Sequence, residues 1–483
     1  MYAIGMDDDP PPLVSAADWV QTPPAVQLAF LTLVDLVHDL SAQVQELRAR
    51  LNQTSRNSSK PPSSDPPSAP PVPPAGVPRG RTRGAQKGHP DQQRPLLPPQ
   101  QVDTIVPLRP TICPHCCTGL ASDLPLSDPV WYCQIWEVPP IRPMVTEYQQ
   151  QTVCCPTCQH AVTADLPPGV PPGACGPRLT ALIGLLHGGY HLSMRTTADL
   201  LADVCGIDLS VGSIAAGCGR ISVALAPIDS AIQVAVQQQP QLWVDETSWR
   251  EQQQRGWLWV AVSPVATCFR IAPSRSQQAL RELIGAHYTG IVHSDRASMY
   301  HALPDGQRQL CWAHILRNLQ GLVDHQHAES GWAYRILQQA GALFTAWHAY
   351  RSGLFDQIAL QQALIPVRLA LHDLLELGAT RPWPKLQAVC QDLLRHWDAL
   401  WTFSRIEGLE PTNNTAERTL RPAVVWRKSC YGTQSAQGSR FVERMLSLRA
   451  TCVQQGRNVF AFLTEVVRAA WAGQPAPSIF CTP

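Results

Sequence analysis

Two acids in this chain of 483 residues sit where a sheet could hold them together. Gln241-Leu-Trp-Val-Asp245 and Ile291-Val-His-Ser-Asp295 are short apolar runs that each end in a carboxylate. Strand ends on a rigid sheet can bring two carboxylates close, and two alone repel until one protonates. A divalent cation removes that conflict, and hard oxygen ligands suit Mg2+ or Mn2+. Two such ions about 3.5–4 Å apart can activate an attacking oxygen and stabilise the leaving oxygen of a phosphodiester. The best candidate for a third carboxylate is Glu417, in Pro411-Thr-Asn-Asn-Thr-Ala-Glu-Arg-Thr-Leu-Arg-Pro422. Asn413 or Asn414 starts a helix there, and Glu417 falls in its first turn. The competing reading is a capping box, Asn414-x-x-Glu417, whose Glu only satisfies a backbone N–H. The surroundings favour chemistry: residues 403–457 hold nine cations against four acids, in a chain of net charge +1. Among them Arg418, Arg421, Arg427 and Lys428 are expected to meet a phosphodiester backbone, with Arg421 and Arg427 foremost and a solvated cation the alternative at each.

A second constellation is sulfur-based. Cys113-Pro-His-Cys116 and Cys155-Pro-Thr-Cys158 are two C-P-x-C knuckles with 38 residues between them. Each presents two thiolates on a tight turn, and together they complete a tetrahedral shell for Zn2+ with no open position, hence a structural site. Strands such as Val130–Val138 and Met144–Val153 could fill the separation. Cys117 and Cys154 adjoin the knuckles, and the alternative is that reduced cysteines merely pack. The chain has 16 Cys and an acidic, Pro-rich start unlike a secretory signal. Reduced thiols, and so metal ligation or burial, are expected before a disulfide framework. No uninterrupted apolar run reaches the ~18 residues of a membrane span. A cytoplasmic protein without a membrane partner is expected.

Elements must position these groups. Val26, Phe30, Leu33, Val37, Leu40, Val44, Leu47 and Leu51 alternate spacings of four and three, a heptad seam within a helix at 24–52. It either pairs subunits as a coiled coil or lies on its own body. Residues 53–100 read as a Pro-rich linker, whose stretch 53–94 holds seven cations against two acids. Arg81, Arg83 and Lys87, mixed with glycines, could follow a phosphate backbone, or the segment is a solubilising tether. Residues 101–170 would be the zinc module. Residues 177–238 are helical with helix-turn-helix punctuation, but Arg220 is the only cation on the second helix, which favours packing over DNA reading. From 240 the period turns extended: strands at 241–245, 256–262, 267–271, 291–295 and 309–312, with a helix at 276–286. The pattern is a multidomain α+β chain with a mixed sheet and helical layers. Its core has a first part at 240–314, an all-helical run at 315–402, and a second part at 403–475 with C-terminal helices.

These motifs together resemble bacterial DDE transposases of the insertion-sequence-66 family. The matching stretches are Leu47–Asp65, Arg83–Pro90, the paired knuckles, Trp243-Val-Asp-Glu-Thr247, His293-Ser-Asp295 with Tyr300, Cys311-Trp-Ala-His314, Asn413-Asn-x-Ala-Glu-Arg418 and Arg427-Lys428. The resemblance implies a ribonuclease-H-like mixed α/β core with a helical insertion between the second and third acids. Asp245, Asp295 and Glu417 then become the DDE triad. It also implies cleavage at the ends of an insertion sequence and joining of the freed 3′-hydroxyl to target DNA. Double-stranded DNA would be the partner, a homo-oligomer through the N-terminal helix the working form, and accessory proteins encoded by the same element are allowed. Such a protein works on the bacterial nucleoid. Where the family commonly has Gly-Tyr after the second Asp, this chain has Arg296-Ala297. An inactive, zinc-containing DNA-binding regulator and a ribonuclease-H-like nuclease are the other two readings. Cys311 and His314 are expected to pack beside the site more than to ligate, and His293 either supports Asp295 or is a satisfied neighbour.

Overall fold

The polypeptide from Gln241 to Leu310 builds a five-stranded mixed sheet that carries the acids. The computed structural model describes residues 16–51, 53–58, 94–125, 131–170 and 173–480. Arg81, Arg83, Lys87 and most of the Pro-rich linker lie outside the described residues. The described residues divide into two units, the smaller formed from residues between 71 and 146 with 201–207, the larger from the rest.

In the smaller unit the expected strand Val130–Val138 does not form. Residues 131–146 run without regular pairing and with mostly exposed side chains, and Pro139, Pro140 and Pro143 have no N–H to offer a ladder. Of the expected strand Met144–Val153, only the end is paired, in the larger unit. There β1 (Thr152–Cys154) runs antiparallel to β2 (Ala161–Thr163).

The helix Pro24–Leu51 belongs to the larger unit. Over Pro24–Arg48 its mean hydropathy is 1.4, which with its length passes for a membrane span, as does Gln357–Gly378 at 1.2. Both rest on length and average composition, and neither is an uninterrupted apolar run. Asp35 and Asp39 interrupt the first, and each such charge opposes insertion by about 3 kcal/mol at mid-bilayer. The second buries Leu360, Leu364, Val367, Leu371 and Leu375 in a helical core.

The sheet strands are β3 (Gln241–Glu251), β4 (Gln254–Val262), β5 (Thr267–Ala272), β6 (Ile291–Ser294) and β7 (Arg308–Leu310), in the order β5-β4-β3-β6-β7. The first three are antiparallel and β6 and β7 run parallel to β3. Asp245 is mid-strand, not at a strand end: β3 continues to Glu251 because β4 goes on pairing with it after β6 has stopped. A turn at Gly432, with φ +107, closes against this extension, where any Cβ would strike the Arg250 carbonyl oxygen.

Both sheet edges are covered. On β5 the outward N–H groups of Thr267, Phe269 and Ile271 donate to Thr451 Oγ1 (3.1 Å), Ser447 Oγ (2.8 Å) and Glu443 Oε1 (2.7 Å) of the helix Ala436–Gln454. Two strand residues rise about 6.7 Å and four helix residues 6 Å, so the two spacings match. The helix thereby closes an edge that would otherwise recruit another strand. On β7, Thr402 Oγ1 donates to the Arg308 carbonyl (2.6 Å) and the Phe403 N–H to Gln309 Oε1 (2.7 Å). These partners end the helical run between β7 and residue 405, whose core gathers Trp312, Trp347, Trp383 and Trp401. Ahead of the sheet, Ser210 caps the helix Val211–Ala224 through the Ser213 N–H, and that helix buries Ile214, Cys218 and Ile221.

Ser447→Ala leaves the buried Phe269 N–H without its acceptor. We expect a loss of about 1–3 kcal/mol in unfolding free energy, read as a lowered denaturant midpoint at unchanged slope.

Candidate active site

Strand register brings the first two acids together. Trp243 pairs with His293 across parallel β3 and β6, so Asp245 and Asp295, each two residues on, follow on the same face of adjacent chain segments. Their partner Glu417 arrives on the helix Asn414–Cys430, which lies along that face. Trp426 meets Trp249 edge-on at 6.3 Å, and Arg427 Nη1 donates to the Ser248 carbonyl (2.7 Å). From Asp245 to Trp249 is about 13 Å of strand, and from Glu417 to Trp426 about 13.5 Å of helix. Anchoring the far end therefore sets Glu417 level with Asp245.

The near end is tied by main-chain bonds. Asn413, buried just before the helix, does not cap it; its Nδ2 donates to the Val244 carbonyl at 2.7 Å. The Asn413 N–H donates to Cys311 Sγ (3.1 Å), the Cys311 N–H to the Ser294 carbonyl (2.9 Å), and the Trp312 N–H to the Pro411 carbonyl (2.9 Å). Val244, Ser294 and Asn413, the residues beside or near the three acids, thus share one hydrogen-bonded knot.

The electrostatics follow from that crowding. Burial, then the charges of Glu246, Asp295 and Glu417, raise the Asp245 carboxyl well above its usual range. Glu417 is not in a capping box: its Oε1 accepts from Arg317 Nη2 (3.0 Å) and lies 3.4 Å from His314 Nδ1. Burial, with Arg317 and Arg296 nearby, lowers His314 to about 3, so it is a neutral imidazole. Cys311, His314 and Glu417 bring ligand atoms within 4.8 Å of one another. The Cys311 sulfur already accepts from Asn413, and burial pushes its thiol up to about 11. His293 is fully buried, stacked on Trp243 at 4.9 Å, and lowered by burial to about 3: a neutral core residue.

A fourth acid stands beside these. Glu246, on the opposite face of β3, has a side chain only 2% exposed. Its Oε2 accepts from the Tyr300 hydroxyl (2.6 Å) and its Oε1 from Arg275 Nε (2.7 Å). Arg275 also reaches Asp295 Oδ2 at 3.8 Å. Burial first, then Asp295, raises Glu246 to about 7. Sequence reasoning missed this clamp. The available signal was a second acid directly after Asp245 inside an apolar strand.

Arg418, Arg421 and Lys428 are exposed on the helix Asn414–Cys430, at spacings that put them on one side of it. Arg427 is half-buried, with donors engaged by Ser248. The two knuckles repeat one geometry, each within its own unit. The Cys113 N–H donates to Thr118 O and Cys117 N–H to Cys113 O; the Cys155 N–H donates to His160 O and Gln159 N–H to Cys155 O. Cys117 and Gln159 both have positive φ, 55 and 60. Hydrogen bonding with Thr118 lowers the Cys116 thiol, and backbone hydrogen bonding at Cys158 and Thr157 lowers Cys155.

Residues 172–440 match the family described as Transposase IS66 family, and residues 10–95 match a family of unknown function, DUF6444. Among curated proteins, two from Sinorhizobium fredii are similar at 24% identity. "Uncharacterized protein y4hP" aligns over 71% of this chain and 68% of its own length, and "Uncharacterized protein y4qI" over 62% and 61%. The chain thus spans about two thirds of the length of these relatives.

Glu246 gives a pH dependence with a defined sign. Below about 4.5 it is protonated folded or unfolded; above about 7 it is ionised in both states, and its burial is fully opposed. The unfolded chain therefore binds fewer protons in between, and stability falls as pH rises from about 4.5 to 7. We expect a contribution on the order of 3 kcal/mol in metal-free protein, seen as a falling denaturant midpoint, with the slope flattened in Glu246→Gln.

Proposed function

The chain belongs to the IS66 transposase family, and from that membership we propose that it cleaves DNA at insertion-sequence ends and joins the freed 3′-hydroxyl to target DNA by two-metal DDE chemistry. The observation that supports this reading is one carboxyl, Asp245, raised by burial and by the charges of Glu246, Asp295 and Glu417, so that three acids far apart in sequence act on one another's site. The strand order, three antiparallel strands followed by two parallel ones, supports a ribonuclease-H-like core interrupted by a helical insertion. Acids crowded in a partly dry site fit a pair of Mg2+ or Mn2+ ions. When bound, such ions supply the positive charge that activates the attacking oxygen and stabilises the leaving one. Asp245, Asp295 and Glu417 would hold them. Arg317 and Arg275 orient Glu417 and Asp295, and the exposed Arg418, Arg421 and Lys428, on one side of the helix Asn414–Cys430, hold the DNA backbone along its length. Arg427 serves this reading through the helix it anchors, and Arg81, Arg83 and Lys87 through the linker.

Two assembly features complete the proposal. The lowered Cys116 and Cys155 thiols support a structural Zn2+ held by Cys113, Cys116, Cys155 and Cys158. The heptad seam of Pro24–Leu51 is open to solvent, with Leu33, Val37, Leu40 and Leu47 each about half exposed. A second copy of the chain covers it in a coiled coil, pairing subunits for a two-ended complex. The protein acts in the bacterial cytoplasm, on the nucleoid when bound, with accessory proteins of the same element as possible companions.

Supercoiled plasmid carrying candidate ends, incubated with Mg2+, yields joined products; nicks alone indicate a nuclease, and binding alone a regulator. Asp295→Asn reduces cleavage by about 10^3-fold or more while leaving DNA affinity intact. Equal strand transfer by both proteins refutes the triad. Val37→Asp, placing a charge in the seam, converts the oligomer to monomer in light scattering; an unchanged mass removes the coiled coil.

A further inference from the structure

Away from the acids of β3, three other ligating side chains converge. His301 lies in the 3-10 turn Ser298–Ala302, Asp392 near the end of the helix Pro384–Arg395, and His396 directly after that helix. One ligand atom from each lies within 4.8 Å of the others. The rings of His301 and His396 are 4.8 Å apart and tilted by 41°.

The surroundings are those of a prepared site. His396 is 9% exposed, its Nδ1 bonds Asp305 Oδ1 at 2.9 Å, and its Nε2 is buried without a partner among the described residues. A carboxylate on one imidazole nitrogen fixes the ring and raises the basicity of the other, the usual arrangement behind a metal-bound histidine. Arg296 Nη1 donates to Asp392 Oδ2 at 2.7 Å, orienting that carboxylate and leaving Oδ1 to ligate.

We propose that His301, Asp392 and His396 bind a first-row transition-metal dication, Zn2+ by preference, which pins the inserted helical run to the turn that follows Asp295. Two imidazoles with one carboxylate suit zinc and not Mg2+. The local charge points the same way: Asp305 and Asp392 are offset by Arg296 and the buried Arg308. Selection then rests on the imidazole nitrogens, since a hard ion would need net negative oxygen ligands. The site is independent of the triad and of the cysteine knuckles.

Zinc binding by the full-length protein tests it. The double variant Cys113→Ser/Cys155→Ser removes the thiolate site, and after dialysis against zinc it should retain one equivalent per chain that excess Mg2+ does not displace. Adding His301→Ala, an exposed position, should remove that equivalent with an unchanged far-ultraviolet spectrum, and zinc should then no longer raise the thermal midpoint. Asp392→Asn gives the same loss should His301→Ala unfold. Cobalt(II) in the double variant should show d–d absorption without a thiolate charge-transfer band. No retained zinc, or zinc retained equally after His301→Ala, overturns the proposal, the second outcome pointing to Cys311, His314 and Glu417 instead.

Discussion

The arrangement of acids depends on Asn413. A buried amide must bond its polar atoms or oppose folding by a few kcal/mol, and this one satisfies its donor on the Val244 carbonyl, one residue before Asp245. The same residue's backbone is tied to Cys311, and Cys311 to the end of β6. Three segments separated by tens of residues are thereby fixed at their functional ends. Hydrophobic packing alone would place the helix Asn414–Cys430 on the sheet without fixing its position along the strand. The amide at one end and Arg427 on Ser248 at the other supply that register.

Holding carboxylates this close stores electrostatic tension, and the chain relieves it unevenly. Glu417 has Arg317, and Glu246 and Asp295 share Arg275. Among the described residues, Asp245 accepts from the Glu246 N–H alone and has no cation of its own. Burial and the neighbouring acids accordingly raise its carboxyl well above the usual range. A dication entering here would meet its least compensated charge at Asp245, on the central strand of the sheet.

Much of this was legible in the residues. Five strands, the helix between the third and fourth, and the long helical run follow from the change of period at 240 and its return after 312. Strand ends were less legible. The apolar run stops at Asp245, but β3 continues because one neighbour still pairs with it, a tertiary fact that no alternation pattern records. The region 131–146 reads as strand by its aromatic and β-branched content and forms none, since its prolines cannot donate. The clamp on Glu246 was hidden for a different reason. Arg275 and Tyr300 come from a loop and a 3-10 turn, and nothing in their spacing announces a shared partner. The helix Pro24–Leu51 was legible because its seam is periodic and long, and that apolar content also gives it the hydropathy of a membrane span.

The helical run between β7 and Asn413 is best understood through its two ends. It leaves the sheet at Cys311 and Trp312 and returns at Thr402 and Phe403, both bonded to β7, so its length adds nothing to the separation of the acids. A domain tied at one point could in principle be a passive appendage. Its first helix, Trp312–Asp324, argues otherwise, because His314 and Arg317 lie on the turn facing Glu417, and Arg317 bonds that carboxylate. Removing the run would take away the cation that orients the third acid. The helical run is therefore part of the arrangement of acids, and any rearrangement of its first turn is felt directly at Glu417.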